Sequence, residues 1–151
     1  MTDSKPQNTS ASYFSEPNIN DWLEEAKRDP QAPFIGMYLT HNGIVRATPK
    51  KVVRADEFET PLSEEEKNRQ VVAVDFSYDE EGLQQALTDA LTWEGVYYVR
   101  AWLNSGRVPV GKSLMYVLIG ADIRPHAIDA LNKLVGHIKS NLVVETEVYA
   151  S

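Results

Sequence analysis

From position 71 onward, segments with the apolar spacing of a strand alternate with segments that have the apolar spacing of a helix. This succession of strands and helices restricts the possible folds more than any other feature of the sequence. Val71 to Ser77 alternates as a strand does, and Val96 to Leu103 is rich in β-branched and aromatic residues. Between these strands, apolar residues recur at helical spacing from Asp79, a candidate N-cap, to about Trp93. This alternation favours a sheet with helices packed on it.

The strongest helical pattern follows an apolar strand. Leu114 to Ile119 is nearly all apolar, which is typical of a strand covered on both faces. Asp122 is the predicted N-cap of the next helix, with Pro125 in its first turn, where a missing amide hydrogen costs least. A final strand is predicted over Val143 to Tyr149. The predicted core stripe of this helix consists of Ile128, Leu131, Leu134, Val135 and Ile138.

The first half of the chain has weaker patterns. We predict a mobile arm over residues 1–17, which are rich in Ser, Thr, Asn, Gln and Pro, and a helix from Asn18 to Arg28 with Asn20 as its cap. Pro33 to Thr40 is a strand candidate, and a turn is expected at His41-Asn42-Gly43. Residues 44–70 form a long loop.

Asn104 to Gly106 has the composition of a hairpin turn. The order predicts an α+β fold, a mainly antiparallel sheet with helices packed on it, in one domain over residues 18–151.

Composition excludes several classes of protein. The chain has 22 acidic and 15 basic residues, a net charge of −7, so we expect neither nucleic acid nor a membrane surface as its partner. It has no cysteine, which excludes disulfides, thiolate catalysis and zinc-cysteine sites. No apolar stretch could cross a bilayer, and no hydrophobic run follows the first lysine, so the expected location is the cytoplasm.

Basic residues are the best candidates for ligand binding or catalysis. Arg124 lies in the first turn of the last long helix and Lys139 in its last turn, and neither has a carboxylate four residues away. Arg124 either binds an anionic ligand or pairs with a neighbouring aspartate, and Lys139 either serves a ligand or complements the helix dipole. His126 is a further candidate for substrate binding. No metal-ligand spacing or nucleophile motif is present, so we expect no metal site.

The long loop carries a basic run without an intervening acid: Arg46, Lys50, Lys51 and Arg54. An acidic run follows it, with Asp56, Glu57, Glu59 and Glu64 to Glu66. One interpretation is that the loop folds over a pocket and supplies positive charge. The other is a solvated loop whose basic run is neutralised by the acidic one.

The segment from Gly106 to Lys139 contains a Gly-Arg-Val-Pro-Val-Gly turn, an apolar strand, Arg124 opening a helix and Lys139 ending it. This order resembles the large subunit of molybdopterin synthase, whose pattern is a Gly-x-x-x-x-Gly turn, a strand, a His-Arg pair and a helix ending in lysine. Phe34-Ile35-Gly36 is similar to the Phe-x-Gly strand of that family. The resemblance covers about residues 32–149.

The resemblance implies an α/β-hammerhead fold, a homodimer, and one small ubiquitin-like sulfur carrier bound to each subunit, which makes a heterotetramer. The thiocarboxylated Gly-Gly terminus of the carrier would enter the active site and supply sulfur to cyclic pyranopterin monophosphate, in molybdenum cofactor biosynthesis. Lys139 would be the catalytic residue, with Arg124, Arg46 and His126 binding substrate. The pterin is a substrate, so no resident cofactor is expected.

The sequence departs from the family pattern at two motif positions. Ile123 replaces the histidine of the His-Arg pair, and Thr146 stands where a second lysine is expected, between two glutamates. The early arginine of the family would fall near Leu39, although Arg46 lies a few residues further on. Three functions therefore stay open: a sulfur-transferring synthase, a catalytically impaired homologue acting as a dimeric scaffold or regulatory partner, and a domain that binds a phosphate-type ligand at Arg124.

Overall fold

The strands form two three-stranded antiparallel sheets in the computed structural model, which describes residues 16–57 and 60–151. The strands are β1 (Met37–Ile44), β2 (Val71–Tyr78), β3 (Val96–Leu103), β4 (Gly106–Pro109), β5 (Ser113–Ala121) and β6 (Val143–Tyr149). The helices are α1 (Ile19–Ala26), α2 (Lys50–Val53), α3 (Glu64–Asn68), α4 (Glu80–Ala90) and α5 (Arg124–His137), and α5 continues into a π-turn over Ile138–Leu142. Sheet A has the strand order β1-β5-β3, and sheet B has β4-β2-β6. The predicted α+β class is confirmed, with two antiparallel sheets in place of one.

Sheet A is covered on both faces, as the apolar composition of β5 predicts. Val117 and Ile119 belong to the main core, which also includes buried residues of α4, α5 and sheet B. Leu118 points to the opposite face and packs with Trp22 of α1 and Trp102 of β3. Because successive side chains of a strand alternate between faces, one continuous apolar run fills both cores.

The first strand lies further along the chain than its sequence predicts. Residues 32–34 form a 3₁₀ turn, and β1 then runs through the expected turn at His41-Asn42-Gly43 to Ile44. The turn prediction is wrong because Asn42 is satisfied inside the strand. Its Nδ2 donates to the Ser113 hydroxyl and to the Met115 carbonyl, each at 3.1 Å.

Two helix caps also differ from prediction. Asn18, not Asn20, caps α1: its Oδ1 accepts hydrogen bonds from the backbone N–H groups of residues 20 and 21, and the helix ends at Ala26. Ile123 occupies the N-cap position of α5. Asp122 precedes it, and its Oδ1 accepts from the Ile123 N–H at 2.6 Å.

The packed face of α5 contains small residues that the predicted stripe omitted. Ala127, Ala130 and Leu134 are buried, and Ile138 of the π-turn is fully buried as expected. Ile128 is 43% exposed, so its assignment to the core was wrong. Two alanines let the helix lie close to sheet A, and this rotates its contact face away from Ile128.

The turn at Asn104 to Gly106 connects different sheets and is not a hairpin. β3 pairs with β5 in sheet A, whereas β4 pairs with β2 in sheet B. Asn104 is buried, and its Nδ2 donates to the Ser113 carbonyl at 3.0 Å. Gly106 has a φ of +90°, a conformation that favours glycine, so the chain can turn sharply here from one sheet to the other.

Most of the predicted N-terminal arm lies outside the described residues. Its last part is anchored: the carboxylate of Glu16 accepts hydrogen bonds from the hydroxyls of Ser113 (2.9 Å) and Tyr116 (3.0 Å) on β5. Within the described ranges, none of the helices combines the length and the apolar character that crossing a membrane requires.

Candidate functional site

A cleft of about 550 Å³ lies where the end of β1, α2, the start of β5, the π-turn and β6 meet. We call it the Lys139 cleft. Its volume is within the range of about 300–1,000 Å³ that is usual for small-molecule sites. The residues that line it are Gly43, Ile44, Val45, Arg46, Lys50, Val53, Arg54, Val74, Leu114, Met115, Gly136, Lys139, Ser140, Glu145 and Glu147.

The Lys139 cleft is positively charged, although the chain as a whole is acidic. Its lining includes the four cations Arg46, Lys50, Arg54 and Lys139 against the carboxylates of Glu145 and Glu147, a net charge of +2. Arginine and lysine side chains that converge on one cleft attract anions and stabilise negative charge that develops there. The cleft is therefore suited to an anionic ligand.

The basic run of the long loop contributes most of this charge. Of its four members, only Lys51 is absent from the lining, and its Nζ pairs with Glu66 at 3.0 Å. Arg54 lines the cleft and also lies 3.5 Å from the Glu57 carboxylate. The loop thus folds over the pocket, and the acidic run that follows neutralises part of the basic run. Each of the two interpretations therefore describes a portion of the loop.

Glu147 holds the basic loop in place. Its Oε2 accepts a hydrogen bond from the backbone N–H of Lys50 at 2.8 Å, and its Oε1 accepts one from the Tyr149 hydroxyl at 2.8 Å. The Arg69 guanidinium lies 3.9 Å from the centroid of the Tyr149 ring. Glu147 of β6 therefore attaches α2 to sheet B.

Thr146 does not face the Lys139 cleft, since side chains alternate along β6. Residues 145 and 147 are half-buried on the cleft side, whereas Thr146 is exposed on the other side and pairs with Asp75 of β2. No lysine lines the cleft at the position where the family pattern has its second one. Two carboxylates flank that position instead.

Arg124 and Lys139 are not brought together within one chain. They lie fifteen residues apart on α5 and its π-turn, so a rise of about 1.5 Å per residue separates them by about 22 Å. Arg124 is exposed at the N-terminal end of the helix and does not line the Lys139 cleft. Ile123 beside it is 51% exposed.

Arg46 is the arginine that follows the first strand. β1 ends at Ile44, and Arg46 lies two residues beyond it in the cleft lining. Phe34 precedes the strand, is 60% exposed and stacks on the Tyr97 ring with a centroid distance of 5.7 Å. The Phe-x-Gly segment, from which the position of the family's early arginine is counted to Leu39, therefore lies before β1 and not within a strand.

His41 is a cleft neighbour that the sequence analysis did not identify. Its Nε2 is buried and has no hydrogen-bond partner among the residues that the structure describes. Burial lowers the pKa of His41, and the positive charge of Lys139 lowers it further. The imidazole is thus held neutral beside Lys139. Alternation along β1, which places His41 on the same face as Leu39 and Gly43, was the signal that could have revealed it.

His126 belongs to a second, smaller pocket at the other end of α5. This pocket has a volume of about 330 Å³ and is lined by Trp93, Glu94, Lys133 and others. His126 Nδ1 lies 2.7 Å from Asp122 Oδ1, and its Nε2 lies 3.7 Å from Glu94. The Asp122 carboxylate raises the pKa of His126, and the same contact lowers the pKa of Asp122.

We expect His126→Ala to lower the free energy of unfolding more at about pH 5.5 than at about pH 8.5. The folded-state pKa of His126 is raised from 6.5, so its contribution is fully present below that value and is lost as the pH rises through the folded pKa. The pKa of Asp122 is lowered from 3.8, so its contribution persists above that value. Urea unfolding of both proteins at the two pH values measures this difference, and an equal loss at both would contradict the pairing.

No metal-binding arrangement is found in residues 16–57 and 60–151, where no three histidine or carboxylate side chains converge suitably.

Comparisons with known proteins show which fold this is. No protein-family model matches the sequence, and no curated protein is significantly similar to it. Solved structures do match. The X-ray structure of molybdopterin synthase from Staphylococcus aureus has a TM-score of 0.65 at 14% identity, over 90% of this chain and 88% of that one. The molybdopterin biosynthesis MoaE protein from Burkholderia ambifaria has a TM-score of 0.61 at 16% identity, covering 90% and 85% of the two chains.

A third match is a complex of subunits 1 and 2 of the molybdopterin-converting factor from Helicobacter pylori, with a TM-score of 0.56 at 16% identity, covering 89% and 85%. At these identities the likeness establishes a shared fold. The fold resemblance expected from the sequence is confirmed, and function has to be argued from the site.

Proposed function

We propose that this protein acts in molybdenum cofactor biosynthesis as a molybdopterin synthase large-subunit-like sulfurtransferase. The observation that carries the proposal is the Lys139 cleft, in which the lysine expected from the family pattern lies together with Arg46, Lys50 and Arg54. The substrates of this reaction are a phosphorylated pterin and a carrier tail ending in a thiocarboxylate. Both are anions, as the charge of the cleft requires.

We assign different roles in the proposed reaction to different residues of the cleft. Arg46 and Arg54 have forked guanidinium groups suited to two-point contact with the phosphate of cyclic pyranopterin monophosphate. Lys139, at the exposed rim, holds the carrier's terminal thiocarboxylate while its sulfur bonds to the pterin. It then stabilises the oxyanion that forms as water adds to the acyl carbon and the acyl–sulfur bond breaks, which leaves the sulfur on the pterin and a carboxylate on the carrier. Neutral His41 adds no charge of its own to the cleft.

The proposed assembly is a homodimer in which each subunit binds one small ubiquitin-like carrier ending in Gly-Gly. The complex of subunits 1 and 2 from Helicobacter pylori supports a small-subunit partner. Arg124 lies about 22 Å from Lys139 along α5. An Arg124 that serves a given cleft would therefore come from the second subunit, and His126 would belong to that distant end as well.

A second candidate function has an observation in its favour. Glu145 and Glu147 line the cleft from β6, and Thr146, which stands at the position of the second lysine in the family pattern, is exposed on the other side of the strand. A carboxylate beside a developing negative charge slows such a reaction. This favours a catalytically impaired homologue that retains the dimer and the carrier-binding groove as a scaffold or regulatory partner.

Reconstitution separates the two functions. The purified protein is incubated with the thiocarboxylated carrier of the same organism and cyclic pyranopterin monophosphate, and the product is measured by mass spectrometry. We expect molybdopterin containing two added sulfur atoms. Capture of the carrier without any product would favour the scaffold, and absence of both would overturn the proposed function.

A further inference from the structure

Two glutamates face the Lys139 cleft from β6, but their surroundings differ. Both oxygens of Glu147 are engaged, one by the Lys50 N–H and the other by the Tyr149 hydroxyl. The side chain of Glu145 makes no hydrogen bond or ion pair with any residue in the described parts of the chain. Glu145 is therefore a half-buried carboxylate in the cleft with free acceptor positions.

An ionised carboxylate only accepts hydrogen bonds, and its two oxygens can receive a pair of parallel N–H groups. Withdrawing such a group from water is unfavourable unless donors replace the water. The other walls of the cleft carry Arg46, Arg54 and Lys139, which suit an anionic group. The cleft thus favours a ligand with negative charge in one part and adjacent N–H donors in another.

We propose that Glu145 determines the class of substrate that the cleft takes, by accepting two hydrogen bonds from a 2-amino-4-oxopyrimidine edge while the cations hold the ligand's anionic group. The ring N–H and the exocyclic amino group of that edge point in the same direction, so they match the two oxygens of one carboxylate. This inference rests on the proposed function, because the pterin precursor carries both that edge and a phosphate.

Binding of two fluorescent probes tests the assignment without any sulfur transfer. Pterin-6-carboxylate has the 2-amino edge, whereas lumazine-6-carboxylate has an oxygen in place of the amino group and carries the same charge at about pH 6.5. The affinity ratio of the two probes cancels the general attraction of the cleft for anions. We expect the full-length protein to bind the pterin at least about tenfold more tightly, as loss of a paired hydrogen-bond donor usually costs this much.

Glu145→Gln should bring that ratio to within about twofold, because an amide offers one donor and one acceptor in place of two acceptors. Glu65→Gln is the matched control: it removes the same charge from exposed helix α3, outside the cleft, and should leave the ratio unchanged. Equal affinities in the unmodified protein, a ratio unaffected by Glu145→Gln, or no pterin binding would each overturn the inference.

The inference and the proposed function fail in different ways. Molybdopterin formation together with a ratio insensitive to Glu145→Gln overturns the role of Glu145 alone. A Glu145-dependent preference for the pterin without molybdopterin formation overturns the sulfur-transfer reaction and supports pterin recognition by this cleft.

Discussion

Lys139→Met is expected to reduce the rate of molybdopterin formation by about 100-fold or more, the usual effect of removing one group that stabilises developing charge. Methionine preserves much of the length and apolar character of the lysine stem, and it removes only the ammonium group. Lys139 is exposed at the rim of the cleft, so the fold should tolerate this change. The measurement is the single-turnover rate with saturating thiocarboxylated carrier, which isolates the chemical step from carrier binding.

Lys133→Met provides the matched control on the same helix. Lys133 lies outside the Lys139 cleft, with its Nζ 4.1 Å from the centroid of the Trp93 ring. Its substitution removes the same charge from the protein, so any effect of net charge on carrier binding is shared by both variants. If Lys139→Met kept full activity, or if Lys133→Met lost as much, Lys139 would have no special part in the reaction.

Much of the second half of the fold could be predicted from local patterns. The bounds of β3 and β6 agree with the predicted strands, because both segments are rich in the β-branched and aromatic residues that favour a strand. The predicted bounds of β1 ended too early because the Asn-Gly pair of this strand carries a strong local turn signal. The contacts that overrule this signal come from Ser113 and Met115, more than seventy residues away, and no local pattern records them.

The candidate site was predictable only in part, for a geometric reason. Lys139 could be found because it ends a regular helix within a recognisable pattern. Its partners in the cleft depend on how the loop after β1 packs on β6, which the hydrogen bond from the Lys50 N–H to Glu147 fixes across ninety-seven positions. From the sequence alone, the only predicted effect of the β6 glutamates is to oppose catalysis. The structure shows that Glu147 attaches the basic loop and thus helps to place three cations in the cleft.

Gly36→Ala is expected to lower the free energy of unfolding by about 3 kcal/mol, the upper part of the range for overpacking a tight site. The Gly36 N–H donates to the Ala121 carbonyl at 2.8 Å, and a Cβ at this position would overlap the backbone carbonyl oxygen of Asp122. Backbone atoms cannot move aside as a flexible side chain can. Relief of the overlap therefore has to separate the start of β1 from the segment leading into α5.

Gly136→Ala tests whether that loss is specific to the contact at Gly36. Gly136 lies inside α5, and a Cβ there would meet no atom within 4 Å. Alanine should therefore stabilise the protein by about 0.5–1 kcal/mol, since glycine is unfavourable within a helix. Urea unfolding of the two variants measures both effects. Similar stabilities would show that the start of β1 does not pack closely against the Asp122 carbonyl. The junction that sets the N-terminus of α5, and with it the position of Arg124, would then be looser than the structure indicates.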